Sequence, residues 1–272
     1  IMTVTVHTGT DKLLCAVTEG VAVITLNRPE ARNALSPELT PALRAMIKQM
    51  GDDPRVGAIV ITGAGTAFCS GGDIKGMAAR GIDERTEEQK VDDLIERQRA
   101  LTGALVAVRK PTIAALPGAA AGAGLALALA CDIRIAADTA FVSTGYARIA
   151  LTGDYGIAWL LTRLVGTSRA RELMFTAERV DARRCETLGI VNRVVPAVEL
   201  MTEAMAFATR VANGPRAALA GIKENLDDAL TVDFLGAIDG EARRMIKANQ
   251  SADHKEAARA FVEKREPKFS ND

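Results

Sequence analysis

Two glycine-marked turns and one isolated carboxylate are the parts of this chain whose residue types and spacing allow chemistry. Gly122-Ala123-Gly124 heads an apolar run, Leu125-Ala126-Leu127-Ala128-Leu129-Ala130-Cys131, that reads as a buried helix. A helix starting there presents backbone N–H groups that have no partner of their own, and small side chains let a ligand approach them. Gly71-Gly72-Asp73 precedes a second helical pattern and offers the same kind of donor. Two such donors converging on one oxygen make an oxyanion hole, worth several kcal/mol of barrier. The same residues would equally serve as tight turns with close packing. Asp154 lies in Thr152-Gly153-Asp154-Tyr155-Gly156, with no basic residue nearer in sequence than Arg148. A carboxylate in apolar surroundings has a raised pKa and suits general-base work. Its alternative use is to cap a helix that starts near Ile157, and Asp73 likewise reads as an N-cap. A dinucleotide-binding reading of Gly122-x-Gly124 fails, because Leu127 stands where the third glycine belongs.

Composition narrows the setting of that chemistry. The 272 residues suffice for one large domain, or for one domain with an appendage. Lys plus Arg and Asp plus Glu both number 34, so the usual charge argument for a nucleic acid or an anionic membrane surface is missing. His7 and His254 are too few for a histidine zinc site or a Ser-His triad, and no metal is expected. Cys15, Cys69, Cys131 and Cys185 are scattered without a CxxC pair and read as reduced thiols of a cytoplasmic protein. The N-terminus lacks the pattern of a signal peptide. The uncharged stretch Pro111 to Cys131 is long enough to cross a bilayer, but Pro117-Gly118 interrupts it. A buried strand, a turn and a buried helix fit it better, and no membrane partner is expected.

The elements that must position these residues follow from periodicity and turn chemistry. Leu13 to Thr18 and Val21 to Asn27, split by Glu19-Gly20, predict a β-hairpin. Ser36-Pro37-Glu38 predicts a helix start with Ser36 as N-cap, running to about Met50. Ala58 to Thr62, Thr112 to Leu116, Ile133 to Ala136 and Ala140 to Val142 read as short strands. Gly76 to Gln89 reads as a polar surface segment. Val91 to Val108 reads as a helix, as do Ile157 to Leu164, Arg169 to Phe175 and Asp181 to Thr187. After a short strand ended by Pro196, the chain is helical over Val198 to Ala212, Pro215 to Ala229, Leu230 to Asn249 and Asp253 to Lys264. The class is therefore α/β, with a helical C-terminal region. No short repeat of fixed period is visible.

Five stretches resemble the crotonase (enoyl-CoA hydratase/isomerase) superfamily. They are Thr25 to Leu35, Ala67 to Lys75, Lys110 to Ala115 with Gly122-Ala123-Gly124, Ala130 to Ala136, and Phe261 to Arg265. The resemblance implies a ββα spiral core over residues 1–197 and a helical trimerisation region over 198–272, assembled as a homotrimer or a dimer of trimers. It implies an acyl-coenzyme A thioester as substrate, with no cofactor beyond the coenzyme A that the substrate carries. The oxyanion-hole donors map to Gly72 and Ala123. Arg28, Ala31, Ser70, Gly71, Gly72, Asp73 and Ile74 map to a CoA-contacting wall. Ala119, Gly122, Ala123 and Tyr146 join the substrate-contacting set. Phe261 and Lys264 are implied to reach a CoA in a neighbouring subunit.

The chain departs from the family at the acid/base positions. Two glutamates hold a water in the hydratases, and Ala126 and Tyr146 stand at those positions here. Asp154 falls where another branch keeps a single acidic residue, in text that resembles Δ3,Δ2-enoyl-CoA isomerases and ring-epoxide isomerases. One base suffices to shift a double bond, whereas hydration normally divides its acid and base work between two groups. The favoured expectation is isomerisation with Asp154 as the base. The alternatives are a hydratase, an aryl-CoA dehalogenase-like hydrolase with Asp154 as nucleophile, and a catalytically silent acyl-CoA-binding protein. Tyr146, Tyr155 and Trp159 read either as an aromatic pocket lining or as core packing.

Overall fold

The hairpin forms where the turn chemistry places it. In this computed structural model, which describes residues 2–73, 76 and 83–270, β2 (Leu13–Thr18) and β3 (Val21–Leu26) pair antiparallel from Thr18↔Val21 outward. Glu19 and Gly20 both have positive φ, 51° and 76°, which is what a two-residue turn matching strand twist requires. An N-terminal strand, β1 (Thr3–Val6), adds antiparallel to β2. The sequence reading missed it, because Thr-Val alternation with both faces exposed carries no burial signal.

Beyond β3 the chain repeats a unit of two strands and a crossover. After α1 (Leu39–Asp52), strand β4 (Ala58–Gly63) pairs parallel with β3, and β5 (Ala67–Cys69) leaves for a second sheet. The helix α2 (Glu87–Gln98) continues through a π-helical turn, Arg99–Gly103, into α3 (Ala104–Ala107). Strand β6 (Thr112–Leu116) then joins the first sheet and β7 (Ala119–Ala121) the second. Helix α4 (Ala123–Leu129) leads to β8 (Ile133–Ala137) in the first sheet and β9 (Phe141–Ser143) in the second. The large sheet has the order β1-β2-β3-β4-β6-β8-β11, with β11 spanning Arg193–Val195. The small sheet has the order β10-β9-β7-β5, with β10 spanning Val180–Asp181. This is the crotonase-like ββα spiral, a repeat of topology that leaves no repeat of sequence.

Burial explains the strand compositions. All six residues of β4 and all five of β6 are buried, as expected for parallel strands covered on both faces. Helix α1 contributes Leu39, Leu43, Met46, Ile47 and Met50 to the core. Lys110 donates its Nζ protons to Met50 O at 2.8 Å and Asp53 O at 2.6 Å, and so satisfies carbonyls at the α1 C-terminus. Burial pushes the Cys69, Cys131 and Cys185 thiols up to about 12 and Cys15 to about 11, which makes all four inert.

The helices that follow are α5 (Ile157–Val165), α6 (Thr167–Thr176), α7 (Ala182–Leu188), α8 (Leu200–Ala212), α9 (Arg216–Asp228), α10 (Phe234–Asn249) and α11 (Ala252–Glu263). Helix α8 buries Leu200, Ala204, Ala208 and Ala212 against β3, β4, β6 and β8, so the first helix beyond residue 197 is part of the sheet's covering. Helices α9 and α10 bury no residue completely. No helix among the described residues is long and apolar enough to cross a membrane.

Three boundaries differ from the sequence reading. Helix α1 begins at Leu39, and Ser36 Oγ accepts the Leu39 N–H at 3.1 Å to cap the turn that leads into it. The helix expected from Leu230 starts at Phe234, because Asp233 accepts the Gly236 N–H and fixes the start there. The polar segment expected to run to Gln89 becomes helical at Glu87, where Thr86 and Gln89 form a capping box. Ile74, Lys75 and residues 77–82 of that region lie outside the described residues.

The two sheets meet the site where β5 passes the N-terminus of α4. A Cβ added to Gly124 would lie 2.2 Å from Cys69 O, a backbone atom that cannot swing aside. Gly124→Ala is therefore expected to destabilise the fold by roughly 2–3 kcal/mol, the upper part of the range for overpacking. Urea unfolding measures this, and a loss under about 0.5 kcal/mol would contradict the packing described.

Candidate active site

The wall expected to contact CoA is assembled by one buried amide. Asn33 is fully buried with φ 57°, a left-handed conformation that Asn tolerates better than most residues. Its Oδ1 accepts the Arg28 N–H at 2.8 Å, and its Nδ2 donates to Ala64 O at 3.0 Å and Ala67 O at 2.8 Å. The Arg28 turn is thereby fastened to the start of β5. Ser70 N–H donates to Arg32 O at 3.0 Å, and Ser70 Oγ donates to Ala31 O at 3.4 Å. Arg28 reaches Asp73 at 3.4 Å and Ala34 O at 2.7 Å. Asp73 Oδ1 accepts the Gly76 N–H at 3.0 Å, which is the expected capping bond. Arg28, Ala31, Ser70, Gly71, Gly72 and Asp73 thus come together on one strip of chain. Ile74 is outside the described residues.

The two candidate donors lie at the edge of that strip. Leu35 and Gly72 form a parallel bridge, in which Leu35 N–H donates to Gly71 O at 2.8 Å and Asp73 N–H donates to Leu35 O at 3.2 Å. Those bonds use the residues on either side of Gly72, so its own N–H faces away from Leu35. The other neighbour of β5 is β7, which runs from Ala119 into the α4 turn. A Cβ on Gly71 would lie 2.7 Å from Ala121 O and 3.3 Å from Ala123 N. The two turns are therefore in direct backbone apposition. Ala123 is the first residue of α4 and has no acceptor one turn earlier. Among the described residues neither the Gly72 nor the Ala123 N–H has a hydrogen-bond acceptor. Gly122 precedes them with φ 53° and ψ −128°, a region open in practice to glycine alone.

The carboxylate is held on a strained loop. Gly153, Tyr155 and Gly156 all have positive φ, at 119°, 53° and 76°; for a bulky residue such as Tyr155 this is an outlier. Tyr155 N–H donates to Gln98 Oε1 at 2.6 Å, which ties the loop to the end of α2. The alternative reading of Asp154 as the N-cap of α5 is overturned. Gly156 is the N-cap, no side chain caps the helix, and the Asp154 backbone carbonyl accepts the Ile157 N–H at 3.2 Å. The carboxylate instead accepts the Tyr146 hydroxyl proton at 2.5 Å. Burial raises the Asp154 pKa above the ordinary carboxylate range, and the Tyr146 hydrogen bond pulls the other way.

Tyr146 connects the loop to the donor turn. It is 6% exposed and begins a short 3₁₀ helix, Tyr146–Ile149. Its ring carbon Cζ lies 3.9 Å from where a Gly122 Cβ would stand. Tyr155 is also buried, whereas Trp159 is exposed and stacks with Arg163 at 3.5 Å. Of the three aromatics, Tyr146 alone touches both the turn and the acid. Sequence reasoning missed Gln98 and the Tyr146–Asp154 bond, because contacts of this kind across loops leave no local spacing signal.

Ala126 is fully buried within α4 and offers only a methyl group. Asp132, which ends the conspicuous apolar run, is committed to the fold. It accepts the Thr112 N–H at 2.8 Å and pairs with Lys223 at 2.9 Å. Phe261 and Lys264 stand at the exposed end of α11, and among the described residues neither is hydrogen-bonded or ion-paired to the strip within one chain. No cluster of three or more metal-binding side chains occurs among the described residues.

Comparison with known proteins is consistent along the whole chain. Residues 16–272 match the family model described as enoyl-CoA hydratase/isomerase. A probable enoyl-CoA hydratase of Rhodobacter capsulatus is 39% identical over 254 residues, covering 93% of this chain and 96% of that protein. A 1,2-epoxyphenylacetyl-CoA isomerase of Escherichia coli is 34% identical over 259 residues, covering 95% and 98%. The crystal structure of an enoyl-CoA hydratase from Bacillus anthracis superimposes with a TM-score of 0.89 at 31% identity, covering 96% of this chain and all of that one. With its crotonase fold and a match to the family model over residues 16–272, the chain belongs to the enoyl-CoA hydratase/isomerase family.

Proposed function

We propose that this enzyme shifts the double bond of an enoyl-CoA thioester, with Asp154 as its single acid/base group. The observation that carries this reading is the Asp154 carboxylate, buried enough for a raised pKa and hydrogen-bonded to Tyr146 beside the Gly122–Ala123 turn. The carboxylate takes a proton from the α-carbon of a β,γ-enoyl thioester. The C–H electron pair moves into a dienolate, and the Gly72 and Ala123 N–H groups hold its oxygen. The same carboxyl group then gives the proton to the γ-carbon, which yields the conjugated ester and restores the carboxylate. The substrate brings its own coenzyme A, and no further cofactor enters the scheme. The Arg28, Ala31 and Ser70–Asp73 strip, with Ala119, supplies the CoA contacts.

Hydration is the second reading, since relatives carry that name. It needs a group that works on a held water alongside the base. Ala126 has no titratable group, and Tyr146 has its pKa raised by burial and already donates to Asp154. A relative of similar coverage is named 1,2-epoxyphenylacetyl-CoA isomerase, so the names of the relatives include both kinds of reaction.

We also infer a homotrimer or dimer of trimers. Leu226 on α9, Leu230 in the connection, and Phe234, Leu235, Met245 and Ile246 on α10 are all exposed, and exposed apolar residues gathered on neighbouring helices mark interaction surfaces. Sedimentation equilibrium should return three or six chains per particle, and a stable monomer would contradict it.

Asp154→Asn is expected to bind CoA esters as the natural chain does and to lose about 10²–10⁴-fold in isomerisation. Turnover within threefold of the natural enzyme would sink the assignment. The same variant should be the more stable protein. Burial raises the folded-state pKa of Asp154, so the ionised group costs stability above that value. Below the unfolded-state value, about 3.9, the cost is gone. Asp154→Asn should therefore show a higher urea midpoint at pH 8, and the difference should close as the pH falls toward 4. An equal or lower midpoint at pH 8 would contradict a desolvated carboxylate.

A further inference from the structure

We propose that Tyr146 is a positioning residue for the base: its hydroxyl occupies Asp154 Oδ1 and leaves Oδ2 as the oxygen that carries the proton. This rests on the assignment of Asp154 above and goes beyond it, because the choice of oxygen and its control belong to a second residue.

The geometry is over-determined on both sides of the hydrogen bond. On the acid side, the backbone of Asp154 is fixed by the Tyr155 N–H bond to Gln98 Oε1 at 2.6 Å and by the Ile157 N–H bond to Asp154 O at 3.2 Å. Only the two side-chain torsions of Asp154 remain free, and the 2.5 Å contact with Tyr146 fixes them. On the phenol side, Gly145 has φ 77°, and Tyr146 O accepts the Leu151 N–H at 3.0 Å. The ring is packed beside Gly122, one residue before the donor N–H of Ala123. One phenol therefore sets the carboxylate relative to the turn that holds the thioester oxygen.

The chemical consequence concerns the ionised form. A phenol that donates to a carboxylate favours the anion and withdraws one oxygen from proton transfer. The proton taken from carbon then has one seat, facing the same way when it arrives and when it leaves. The surrounding charges do not take over this role. Tyr155 faces the pair from the same loop, with Arg44 of α1 and Arg97 of α2 behind it, and those guanidiniums act on the Tyr155 phenol. Tyr146 is the one side chain whose hydrogen bond acts on the Asp154 titration among the described residues.

The experiment is the pH dependence of kcat/KM for α-carbon deuterium exchange in Tyr146→Phe, and in enzyme carrying 3-fluorotyrosine at position 146. Phenylalanine keeps the ring and removes the donor. The expected results are a kcat about 10–100-fold lower, the worth of a hydrogen bond to a charged group, a KM within threefold, and an acidic limb displaced to higher pH. Fluorotyrosine is the stronger donor, and its acidic limb should move to lower pH. A structural role alone would lower activity without moving the limb in opposite directions. Unchanged kcat and limb in Tyr146→Phe, or shifts of the same sign in both proteins, overturn the proposal. If Asp154→Asn retains exchange, the base assignment itself has failed. If Asp154→Asn is inactive while Tyr146→Phe matches the natural enzyme, only the positioning role has failed.

Discussion

The constraint on which the rest of the structure depends is the contact between two stretches of bare backbone. Strand β5 and the turn before α4 lie so close that a methyl group on Gly124 would stand 2.2 Å from Cys69 O, and one on Gly71 would stand 2.7 Å from Ala121 O. The stretches come from different turns of the spiral and approach only because small residues line both. Among the described residues, their apposition leaves the Gly72 and Ala123 N–H groups without acceptors. Asn33 serves the same constraint from behind, spending all three of its side-chain bonds to fasten the Arg28 turn to the strand. The donors are backbone atoms, so neither depends on a particular side chain.

The candidate base is held outside that contact, on the loop before α5. A carboxylate in water is a weak base with no preferred direction. At Asp154 burial raises its pKa, a strained loop fixes its backbone, and a phenol fixes its orientation. Burial and the strained loop cost folding free energy and the phenol's hydrogen bond offsets part of it; in the proposed mechanism the three together match this side chain to a carbon acid. The methyl of Ala126 and the engaged phenol of Tyr146 leave one titratable group where a water-adding site needs two.

Much of the frame was legible in the sequence because it rests on local chemistry. Glu19-Gly20 encodes its turn and Asp73 its capping bond; Gly71-Gly72 and Gly122-Ala123-Gly124 read locally as turns, and the resemblance is what singles out Gly72 and Ala123 as expected donors. The small sheet was legible only at β9, where Ala140 to Val142 reads as a strand. Strands β5 and β7 are three residues each, composed largely of alanine and small side chains, and periodicity cannot register so short an element. Asp154 was legible as a candidate but not in its surroundings. A carboxylate just ahead of a helix is a natural cap, but here Gly156 takes the cap position, no side chain caps the helix, and Asp154 stands two residues before the cap. The pairing of Tyr146 with Asp154 spans eight residues through a 3₁₀ turn and a loop, beyond any rule of spacing. The expected roles of Phe261 and Lys264 depend on a second chain and have no expression inside one.

In the proposed mechanism a single carboxylate beside an enolate hole moves protons between carbons and does not add water. The most direct measurement is NMR of one enzyme sample in D2O, presented in turn with a 3-enoyl-CoA and with crotonyl-CoA. The account predicts that the 3-enoyl ester converts to its conjugated 2-enoyl isomer while crotonyl-CoA remains unhydrated over the same period. Appearance of 3-hydroxybutyryl-CoA at a rate comparable to the isomerisation would contradict it.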